Sequence, residues 1–277
     1  MLMQMLDNSS SETVDKISIS LLVSTYNSPE YLALSLKSVL MQSRMPDEVV
    51  IADDGSGDET KEVIDEFRKE CPVPVKHVWH PDDGFRLSAI RNKALKSAAG
   101  DYIIQIDGDI VMDPDFVKDH ERYAVRGCFT GASRAFVSED FSNEMRRSQQ
   151  IDYAKLYTHS INKLNALRLP WVTPFFTGRK RKKTTIRGCN MAYWRSDAFR
   201  INGYNEDFKG WGSEDCEFAV RLSNSGLRKQ WLKFAAIEYH LYHKTNDASN
   251  KDVNRIIMEN ALNDNLTIIT NGIDKLT

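Results

Sequence analysis

The sequence predicts an α/β fold with a mostly parallel sheet flanked by helices, formed as a single compact domain. Three observations lead to this prediction. The chain has 277 residues, which is enough for one large α/β domain. Between residues 17 and 106, short apolar runs rich in β-branched residues alternate with segments of helical spacing. Three of the four predicted strands end in polar or acidic residues, and ligands bind beyond the carboxyl ends of such sheets.

The first half of the chain supplies the repeating pattern. Strands are predicted at residues 17–24, 48–52, 75–79 and 102–106. The first helix begins at Pro29, because Ser28 is a good N-cap and proline suits the first helical position. The second helix begins near Asp58, and the third spans about residues 86–98. The polar clusters that follow the first, second and fourth strands are Ser24–Asn27, Asp53–Ser56 and Asp107–Asp109.

After about residue 125 the periodic pattern is weaker. Helices are predicted at residues 151–167 and 217–227, and strands at 186–194 and 231–239. Residues 175–183 have the composition of an exposed loop. A closing amphipathic helix is predicted over residues 252–267, with apolar positions Val253, Ile256, Ile257, Leu262 and Leu266.

Composition excludes several classes of protein. The formal net charge of −2 gives no support to nucleic-acid binding. The four cysteines form no C-x-x-C pair, which indicates reduced thiols in a cytoplasmic protein. No apolar stretch approaches the ~20 residues that a membrane span needs. Residues 1–16 are predicted to be a disordered leader, because the brief apolar start lacks a basic flank and becomes polar.

Asp107 and Asp109 flank a glycine at the end of a buried apolar strand. Carboxylate oxygens are the ligands that Mg²⁺ and Mn²⁺ prefer, and such an ion can also hold a diphosphate. The alternative interpretation is a simple acidic turn, because the D-x-D pattern alone is a weak motif.

The segment Gly210–Asp215 contains two glycines, Trp211 and two adjacent acids, and it leads into a predicted helix. Trp211 offers a flat surface of the kind on which sugars stack. Near a helix N-terminus the dipole favours ionised carboxylates, and an ionised carboxylate can accept a proton from a hydroxyl. The alternative is an ordinary acidic helix start with the tryptophan in the core.

Two histidines, His240 and His243, follow the strand predicted at residues 231–239. A neutral imidazole is a common metal ligand and could complete a site begun by Asp109. Because residues three apart on an extended segment point in different directions, only one of the two is expected to bind metal. A lone histidine is more often a surface or core residue.

Two groups of basic residues have both functional and structural interpretations. Arg86 and Arg91 follow the turn His80–Gly84 and could face a diphosphate, or could be solvated helix charges. The run Arg179–Lys183 follows Trp171 and two phenylalanines, which is a pattern that can bind anionic lipid headgroups or phosphates. The alternative for that run is a mobile, solvated loop.

These residues together resemble family 2 glycosyltransferases, which have the Rossmann-like GT-A fold. The first half matches through Val23–Asn27, Ala52–Ser56, Ile90–Asn92 and Asp107–Asp109. The second half is similar to a galactosyltransferase-type C-terminal segment that also occurs in bacterial chondroitin-polymerase-like enzymes. It matches through Arg187–Ala192, Gly203–Glu206, Gly210–Asp215 and Tyr239–His240. Ser213 departs from the pattern, because many relatives carry a smaller residue there.

The resemblance implies a role for each matching residue. A nucleotide-sugar-binding half would span residues 17–125, an acceptor-binding and catalytic half 126–245, and a helical tail 246–277. The residues implied to hold the donor nucleotide are Ser24, Tyr26, Asp53, Asp54, Arg91 and Asp107. The metal ligands would be Asp109 and His240, with Asp107 contributing and His243 in reserve. Asp215 would be the catalytic base, Glu214 would hold an acceptor hydroxyl, and Trp211 would shape the sugar pocket.

The reaction implied by the resemblance is a single in-line displacement that inverts the anomeric centre and depends on Mn²⁺ or Mg²⁺. A UDP-sugar would donate a hexose or an N-acetylhexosamine to a saccharide or lipid-linked saccharide, in synthesis of a bacterial surface polysaccharide or glycolipid. The enzyme would be cytoplasmic, with peripheral membrane contact through Arg179–Lys183. The competing hypotheses are a non-catalytic sugar-nucleotide or glycan-binding module on the same fold, and a sugar nucleotidyltransferase. The latter would need a glycine-rich basic loop after the first strand, where the chain has Ser24–Ser28 instead.

Overall fold

The computed structural model describes residues 17–176, 178–180, 186–243 and 250–275. The strands within these residues are β1 (Ile19–Thr25), β2 (Glu48–Asp53), β3 (Val75–Trp79), β4 (Tyr102–Asp107), β5 (Ile110–Met112), β6 (Cys128–Ala132), β7 (Arg134–Phe136), β8 (Gly178–Lys180), β9 (Met191–Trp194), β10 (Arg228–Leu232) and β11 (Glu238–His240). The helices are α1 (Pro29–Leu40), α2 (Asp58–Glu70), α3 (Leu87–Ser97), α4 (Phe116–Arg122), α5 (Glu139–Ser148), α6 (Tyr153–Thr158), α7 (Lys163–Ala166), α8 (Thr173–Phe176), α9 (Arg195–Arg200), α10 (Glu214–Asn224) and α11 (Lys251–Asn263). Short 3₁₀ turns occur at Gly188–Asn190 and Ile273–Lys275.

The main sheet has eight strands in the order β3-β2-β1-β4-β9-β6-β10-β8. The strands β3, β2, β1 and β4 are parallel to one another. β9 runs antiparallel to both β4 and β6, while β10 is parallel to β6 and β8 forms an antiparallel edge. The predicted α/β class, with a mostly parallel sheet, is confirmed.

Helices cover both faces of this sheet, because its central strands are apolar on both sides. Every residue of β1 is buried, which is typical of a parallel strand between two helical layers. On one face, β1 packs with α1, α2 and α4 through a core that includes Leu36 and Phe116. On the other face, Leu22 of β1 lies in a core with α3, α9 and α10 that includes Leu95 and Phe218.

A second sheet of three strands, in the order β5-β11-β7, lies against a third core. β11 pairs antiparallel with β5, so that His240 is opposite Ile110, and parallel with β7. The Leu241 N–H then donates to the Asp109 carbonyl at 3.0 Å. This small sheet therefore brings the end of β11 to the end of β4.

The second half of the chain differs from the predicted elements in four places. The predicted helix 151–167 is two short helices, α6 and α7, and the predicted loop 175–183 contains the end of α8 and the edge strand β8. The predicted strand 186–194 opens with a 3₁₀ turn before β9. The predicted strand 231–239 is divided between the two sheets as β10 and β11. Phe234 and Ala236 have positive φ values of 66° and 51° in this break. Residues other than glycine rarely adopt this conformation, so their presence in the sequence does not indicate a break here.

The closing helix exists as α11, but the large apolar residues predicted to form its buried face do not do so. The buried residues are Asn254 and Ala261, whereas Val253 is 60% exposed and Ile256 is 52% exposed. Asn254 is inward because its Nδ2 donates to the carbonyls of Lys209 and Trp211, at 3.1 and 3.3 Å. Hydrogen bonding to the 209–211 loop therefore sets the orientation of this helix.

Several predictions concern residues that lie outside the described ranges. These are the leader at 1–16, positions 181–183 of the basic run, and parts of the tail at 246–249 and 276–277. The aromatic residues before the basic run are described, and Trp171 and Phe175 are exposed. All four cysteines are free thiols. None of the helices in the described ranges has the length and apolar character that crossing a bilayer requires.

Candidate active site

The carboxyl ends of β1, β2 and β4 meet at one edge of the main sheet. In the parallel register, Ser24 lies opposite Ala52 on one side and opposite Asp107 on the other. The Gly108 N–H donates to the Ser24 carbonyl at 2.7 Å. A Cβ at Gly108 would come within 3.1 Å of that oxygen, so glycine allows the chain to turn closely against β1. The sheet thus brings the polar residues of three strand ends together, as the sequence predicted.

Asp53 and Asp54 are buried, and each is held by a histidine: His77 lies in β3, and His80 directly follows it. Asp53 is hydrogen-bonded to His77 Nε2 at 2.8 Å and accepts the Ser56 N–H at 2.8 Å. Burial opposes ionisation of Asp53, but these hydrogen bonds hold its pKa below the usual range.

Asp54 is hydrogen-bonded to His80 Nε2 at 2.7 Å and accepts the Arg86 N–H at 2.8 Å. Burial raises the pKa of Asp54, against the opposing effect of the Arg86 N–H. The supporting roles of His77 and His80 were not among the features predicted from the sequence. Their positions could have been predicted, because β3 runs parallel to β2, so the ends of the two strands lie side by side.

Tyr26 presents an accessible ring at the same edge of the sheet. The residue is 45% exposed, and its hydroxyl donates to Asp82 Oδ2 at 2.9 Å. That hydrogen bond raises the pKa of Tyr26. Arg86, by contrast, is turned toward its own loop, with an Nη2 to Pro81 carbonyl distance of 2.6 Å. A flat exposed ring beside acidic groups is suited to binding a nucleobase and ribose.

Arg91, on α3, is almost completely buried, with a side-chain exposure of 1%. Its Nε donates to Ser24 Oγ at 3.1 Å, and its Nη2 donates to Asp107 Oδ1 at 3.0 Å. Its Nη1 lies 2.8 Å from Asp215 Oδ1 and 3.4 Å from Glu214 Oε1. We call Arg91, Asp107, Glu214 and Asp215 the Arg91 cluster. Burial disfavours the charged guanidinium, but the surrounding carboxylates, Asp215 foremost, raise its pKa above the ordinary value.

Glu214 and Asp215 begin α10, after a turn with a left-handed backbone. Gly210, Gly212 and Ser213 have φ values of 69°, 114° and 70°. This turn directs Asp215 toward the main sheet, where its Oδ2 accepts the Gly188 N–H at 2.9 Å. A Cβ at Gly188 would collide with the Asp215 carboxylate, so glycine is required for this approach.

The Arg91 cluster contains more negative than positive charge, because three carboxylates share one guanidinium. Burial raises the pKa of Asp107 to about 6, against the attraction of Arg91. Burial and the neighbouring Asp215 charge raise the pKa of Glu214 to about 7. Carboxyl groups with pKa values near neutrality are typical of acid–base sites and of sites that receive a cation or a cationic transition state.

Asp109, His240 and His243 form a group suited to a metal ion. One ligand atom from each residue lies within 4.8 Å of the others. Asp109 Oδ2 is 2.8 Å from His243 Nε2 and 3.6 Å from His240 Nε2. The buried Asp109 Oδ1 has no hydrogen-bond partner among the described residues, so it can accept a further ligand. Burial lowers the pKa of His240 and thereby favours the neutral imidazole that binds metal.

The expectation that the two histidines point in different directions is wrong. β11 ends at His240, the Leu241 N–H donates to the Asp109 carbonyl, and the Nε2 atoms of both histidines lie within 3.6 Å of Asp109 Oδ2. The ring centroids of His240 and His243 are 5.2 Å apart. Asp107 is not in this group, because its carboxylate is paired with Arg91. The residues present could therefore hold a divalent cation through one carboxylate and two imidazoles, a donor set that suits a transition-metal ion such as Mn²⁺ better than Mg²⁺.

Trp211 lies in the turn before α10 and is 43% exposed. Its carbonyl accepts the Asn254 side chain of α11 at 3.3 Å, which fixes the backbone of the turn. The alternative of a core tryptophan does not hold, because nearly half of the residue faces solvent. The exposed indole is available to an incoming sugar.

Solved structures share the arrangement of strands described above. The mannosyltransferase PcManGT from Pyrobaculum calidifontis, solved with GDP-Man and Mn²⁺, has a TM-score of 0.60 at 17% identity, covering 84% of this chain and 59% of that one. Residues 1–349 of S. aureus TarS, solved with UDP-GlcNAc, have a TM-score of 0.61 at 19% identity, covering 89% of this chain and 67% of that one. The fold is the GT-A fold of glycosyltransferases.

The chain belongs to glycosyltransferase family 2. The family profile "Glycosyl transferase family 2" matches residues 20–185, and the profile "N-terminal domain of galactosyltransferase" matches residues 175–244. Chondroitin synthase from Escherichia coli is 25% identical over 250 residues, which cover 80% of this chain and 34% of that protein. The chain therefore spans about a third of the length of this relative. The resemblance drawn from the sequence motifs is confirmed for both halves.

Proposed function

We propose that this chain transfers a hexose or an N-acetylhexosamine from a UDP-sugar to a hydroxyl of a saccharide acceptor, with inversion of the anomeric configuration. The observation that carries the proposal is the contact of Arg91 with both Asp107 and Asp215. Asp107 is the last residue of the donor-side strand β4, and Asp215 lies in the first turn of α10, which the family resemblance assigns to the acceptor. One guanidinium therefore joins the two sets of groups that a transfer reaction needs.

The donor-binding part of the proposal rests on the edge formed by β1, β2 and β4. Tyr26 would contact the base, while Ser24, Asp53 and Asp54 would form or support the wall of the nucleotide site. The UDP-GlcNAc complex of TarS and the GDP-Man complex of PcManGT show that this fold accepts different nucleotides. UDP is favoured here because the residues that match the family motifs are those implied to hold uracil and ribose.

Asp109, His240 and His243 would hold the divalent cation, with Mn²⁺ or Mg²⁺ as the candidates. When bound, such a cation stabilises the negative charge of a departing diphosphate. Asp107 sits two residues before Asp109 and is held by Arg91. Its carboxylate would therefore face the donor sugar or ribose near the cation.

The chemical step needs one base and no covalent intermediate. The acceptor oxygen attacks the anomeric carbon as the bond from that carbon to the diphosphate oxygen breaks, and Asp215 takes the acceptor proton. A single displacement from the opposite face inverts the anomeric centre. Glu214, beside Asp215, would hold an acceptor hydroxyl, and Trp211 would support the sugar ring.

The acceptor is proposed to be a growing surface polysaccharide or a lipid-linked saccharide. Support comes from the similarity to E. coli chondroitin synthase and from the exposed Trp171 and Phe175, which precede the basic run Arg179–Lys183 in the chain. A cytoplasmic location with contact at the inner face of the membrane is part of this proposal.

The first experiment is a UDP-release assay with a panel of UDP-sugars and saccharide acceptors, in Mn²⁺ and in EDTA. Release that needs the metal and favours one donor would support the proposal and identify the sugar. If no donor gives release, calorimetry with UDP decides between the alternatives. Absence of UDP binding would remove the UDP-sugar hypothesis, whereas UDP binding without transfer to any acceptor would favour a non-catalytic binding module.

A further inference from the structure

We propose that Arg91 is a positioning residue for the acceptor-side base Asp215, and that it does not contact the donor nucleotide. This inference rests on the proposed function, and it changes the role that the family resemblance implies for Arg91. It concerns how the base is oriented relative to the groups at the end of β4.

The guanidinium of Arg91 is already committed to protein groups. Its Nε, Nη1 and Nη2 atoms each have an oxygen partner, provided by Ser24, Asp215 and Asp107 at 3.1, 2.8 and 3.0 Å. With a side-chain exposure of 1%, it has almost no surface to offer a ligand. Nη1 also lies 3.4 Å from Glu214 Oε1, so a nucleotide phosphate would find at most one of the five N–H donors without a partner among the described residues.

Asp215 is held at two points, which fixes the direction of its carboxylate. Oδ1 accepts from Arg91 Nη1 at 2.8 Å, and Oδ2 accepts from the Gly188 N–H at 2.9 Å. Gly188 belongs to the 3₁₀ turn before β9, and its carbonyl accepts from Gln105 Nε2 of β4 at 3.0 Å. Both donors are thus anchored in the core. A base whose two oxygens are fixed in this way meets the acceptor in one orientation.

Arg91 is itself held in place by the scaffold. Its guanidinium carbon lies 5.4 Å from the centre of the Tyr204 ring, and the Tyr204 hydroxyl donates to Gln105 Oε1 at 2.7 Å. The next residue of α3, Asn92, donates to the Tyr204 carbonyl at 2.8 Å. The planar fork of arginine reaches Ser24, Asp107 and Asp215 at once, which the single ammonium of lysine cannot do.

A second arginine provides a matched control outside the site. Arg168 also meets three carboxylates, and we call these four residues the Arg168 cluster: Arg168, Asp113, Asp115 and Asp119. None of its members is among the residues assigned to the donor, the acceptor or the metal. Arg168→Lys therefore controls for the general effect of replacing an arginine that binds three aspartates.

The experiment compares Arg91→Gln and Arg91→Lys with the unaltered chain and with Arg168→Lys. UDP affinity is measured by calorimetry, and transfer is measured as kcat and donor KM across pH. For Arg91→Gln we expect kcat to fall about 100-fold, while donor KM and UDP affinity change less than about threefold. The acidic limb of its pH–rate profile should move up by about one to three units, because the carboxylates lose a neighbouring positive charge. Arg91→Lys should recover part of kcat, and Arg168→Lys should retain the unaltered rate and profile.

Gly188→Ala tests the same idea without changing any charge, and it serves if Arg91→Gln fails to fold. Its added Cβ displaces the Asp215 carboxylate, so kcat should fall while UDP affinity is retained. The positioning role is overturned if Arg91→Lys or Arg91→Gln weakens UDP binding in proportion to the loss of rate, or if both keep the unaltered kcat. Absence of transfer by the unaltered chain would instead overturn the proposed function and this inference with it.

Discussion

The Arg91 and Arg168 clusters each place one arginine against three carboxylates, and they differ in what else those carboxylates bind. In the Arg168 cluster, Asp119 also accepts the Ala236 N–H at 3.0 Å, and Asp113 accepts the Asp115 N–H at 3.0 Å. Asp115 is hydrogen-bonded to the Ser43 hydroxyl. These aspartates thus fix loops and the start of α4, and the arginine completes a structural network.

In the Arg91 cluster, Asp107 and Glu214 are paired with the guanidinium of Arg91. Asp107 Oδ1 lies 3.0 Å from Nη2, and Glu214 Oε1 lies 3.4 Å from Nη1. Their pKa values rise to about 6 and about 7. In the Arg168 cluster the hydrogen bond from Ser43 lowers the pKa of Asp115, although burial raises that of Asp113. The number of ion pairs around an arginine therefore does not show whether the site is reactive. Within the Arg91 cluster, Asp107 and Glu214 keep the capacity to exchange protons or bind ligands, whereas Asp215 is also held by the Gly188 N–H.

The largest expected effect comes from Asp215→Asn. The amide cannot accept the acceptor proton, so we expect kcat to fall by about 10² to 10⁴, with UDP affinity kept within about threefold. The measurement is steady-state transfer beside UDP calorimetry. A variant that transfers at the normal rate would show that Asp215 is not the base, and the contrast between the two clusters would lose its functional meaning.

Glu214→Gln tests the charge imbalance of the Arg91 cluster through stability. Folding raises the pKa of Glu214 from the ordinary 4.5 to about 7, so the folded state holds more protons than the unfolded state between these values. Stability therefore falls as pH rises across this range, by roughly 3 kcal/mol when ionisation is complete. We expect Glu214→Gln to match the unaltered chain at pH near 5 and to be more stable at pH near 8, as measured by denaturant unfolding in EDTA. Equal stability at both pH values would contradict the raised pKa.

The first half of the fold was predictable because its information is local. Each strand of the β3-β2-β1-β4 group is a short apolar run closed by a turn, and the observed bounds fall within two residues of the predicted ones. The acidic clusters at the strand ends follow from the same pattern, since parallel strands end at one edge. The family motifs also led to the prediction that Asp109, Asp215 and His240 belong to the site.

The remaining features depend on contacts between distant residues. The Arg91–Asp215 pair joins positions 124 apart in sequence, so no local pattern predicts it. The burial of Asn254 in place of Val253 depends on hydrogen bonds to the 209–211 loop, which outweigh the apolar pattern of α11. His240 and His243 converge on Asp109, which lies in the other half of the chain, so no local pattern predicts this group.

Asp109 differs from the carboxylates of both arginine clusters, because its partners are imidazoles. An imidazole can lose its proton and accept a metal, which a guanidinium cannot do. We expect His240→Gln and His243→Gln each to weaken Mn²⁺ binding by about 10- to 100-fold, as measured by calorimetry without donor. His159→Gln, at an exposed histidine bonded to the Lys155 carbonyl, should leave Mn²⁺ binding unchanged. If only one of the first two variants loses affinity, the other histidine is not a ligand.

The smallest effect, and the counterpart of Asp215→Asn, is expected for Asp119→Asn in the Arg168 cluster. Asp119 accepts two bonds from Arg168, at 2.8 and 3.1 Å, and an amide would direct an N–H group toward those donors. Losing charge-assisted bonds at a buried position should lower the free energy of unfolding by about 2 kcal/mol. Transfer per folded molecule should stay normal, because Asp119 supports α4 and the Ala236 turn without touching the Arg91 cluster. Denaturant unfolding and kcat measured on the same preparation check both statements. A loss of kcat at full stability would mean that the two clusters are functionally connected, and that Asp119 acts on the reaction from outside the site.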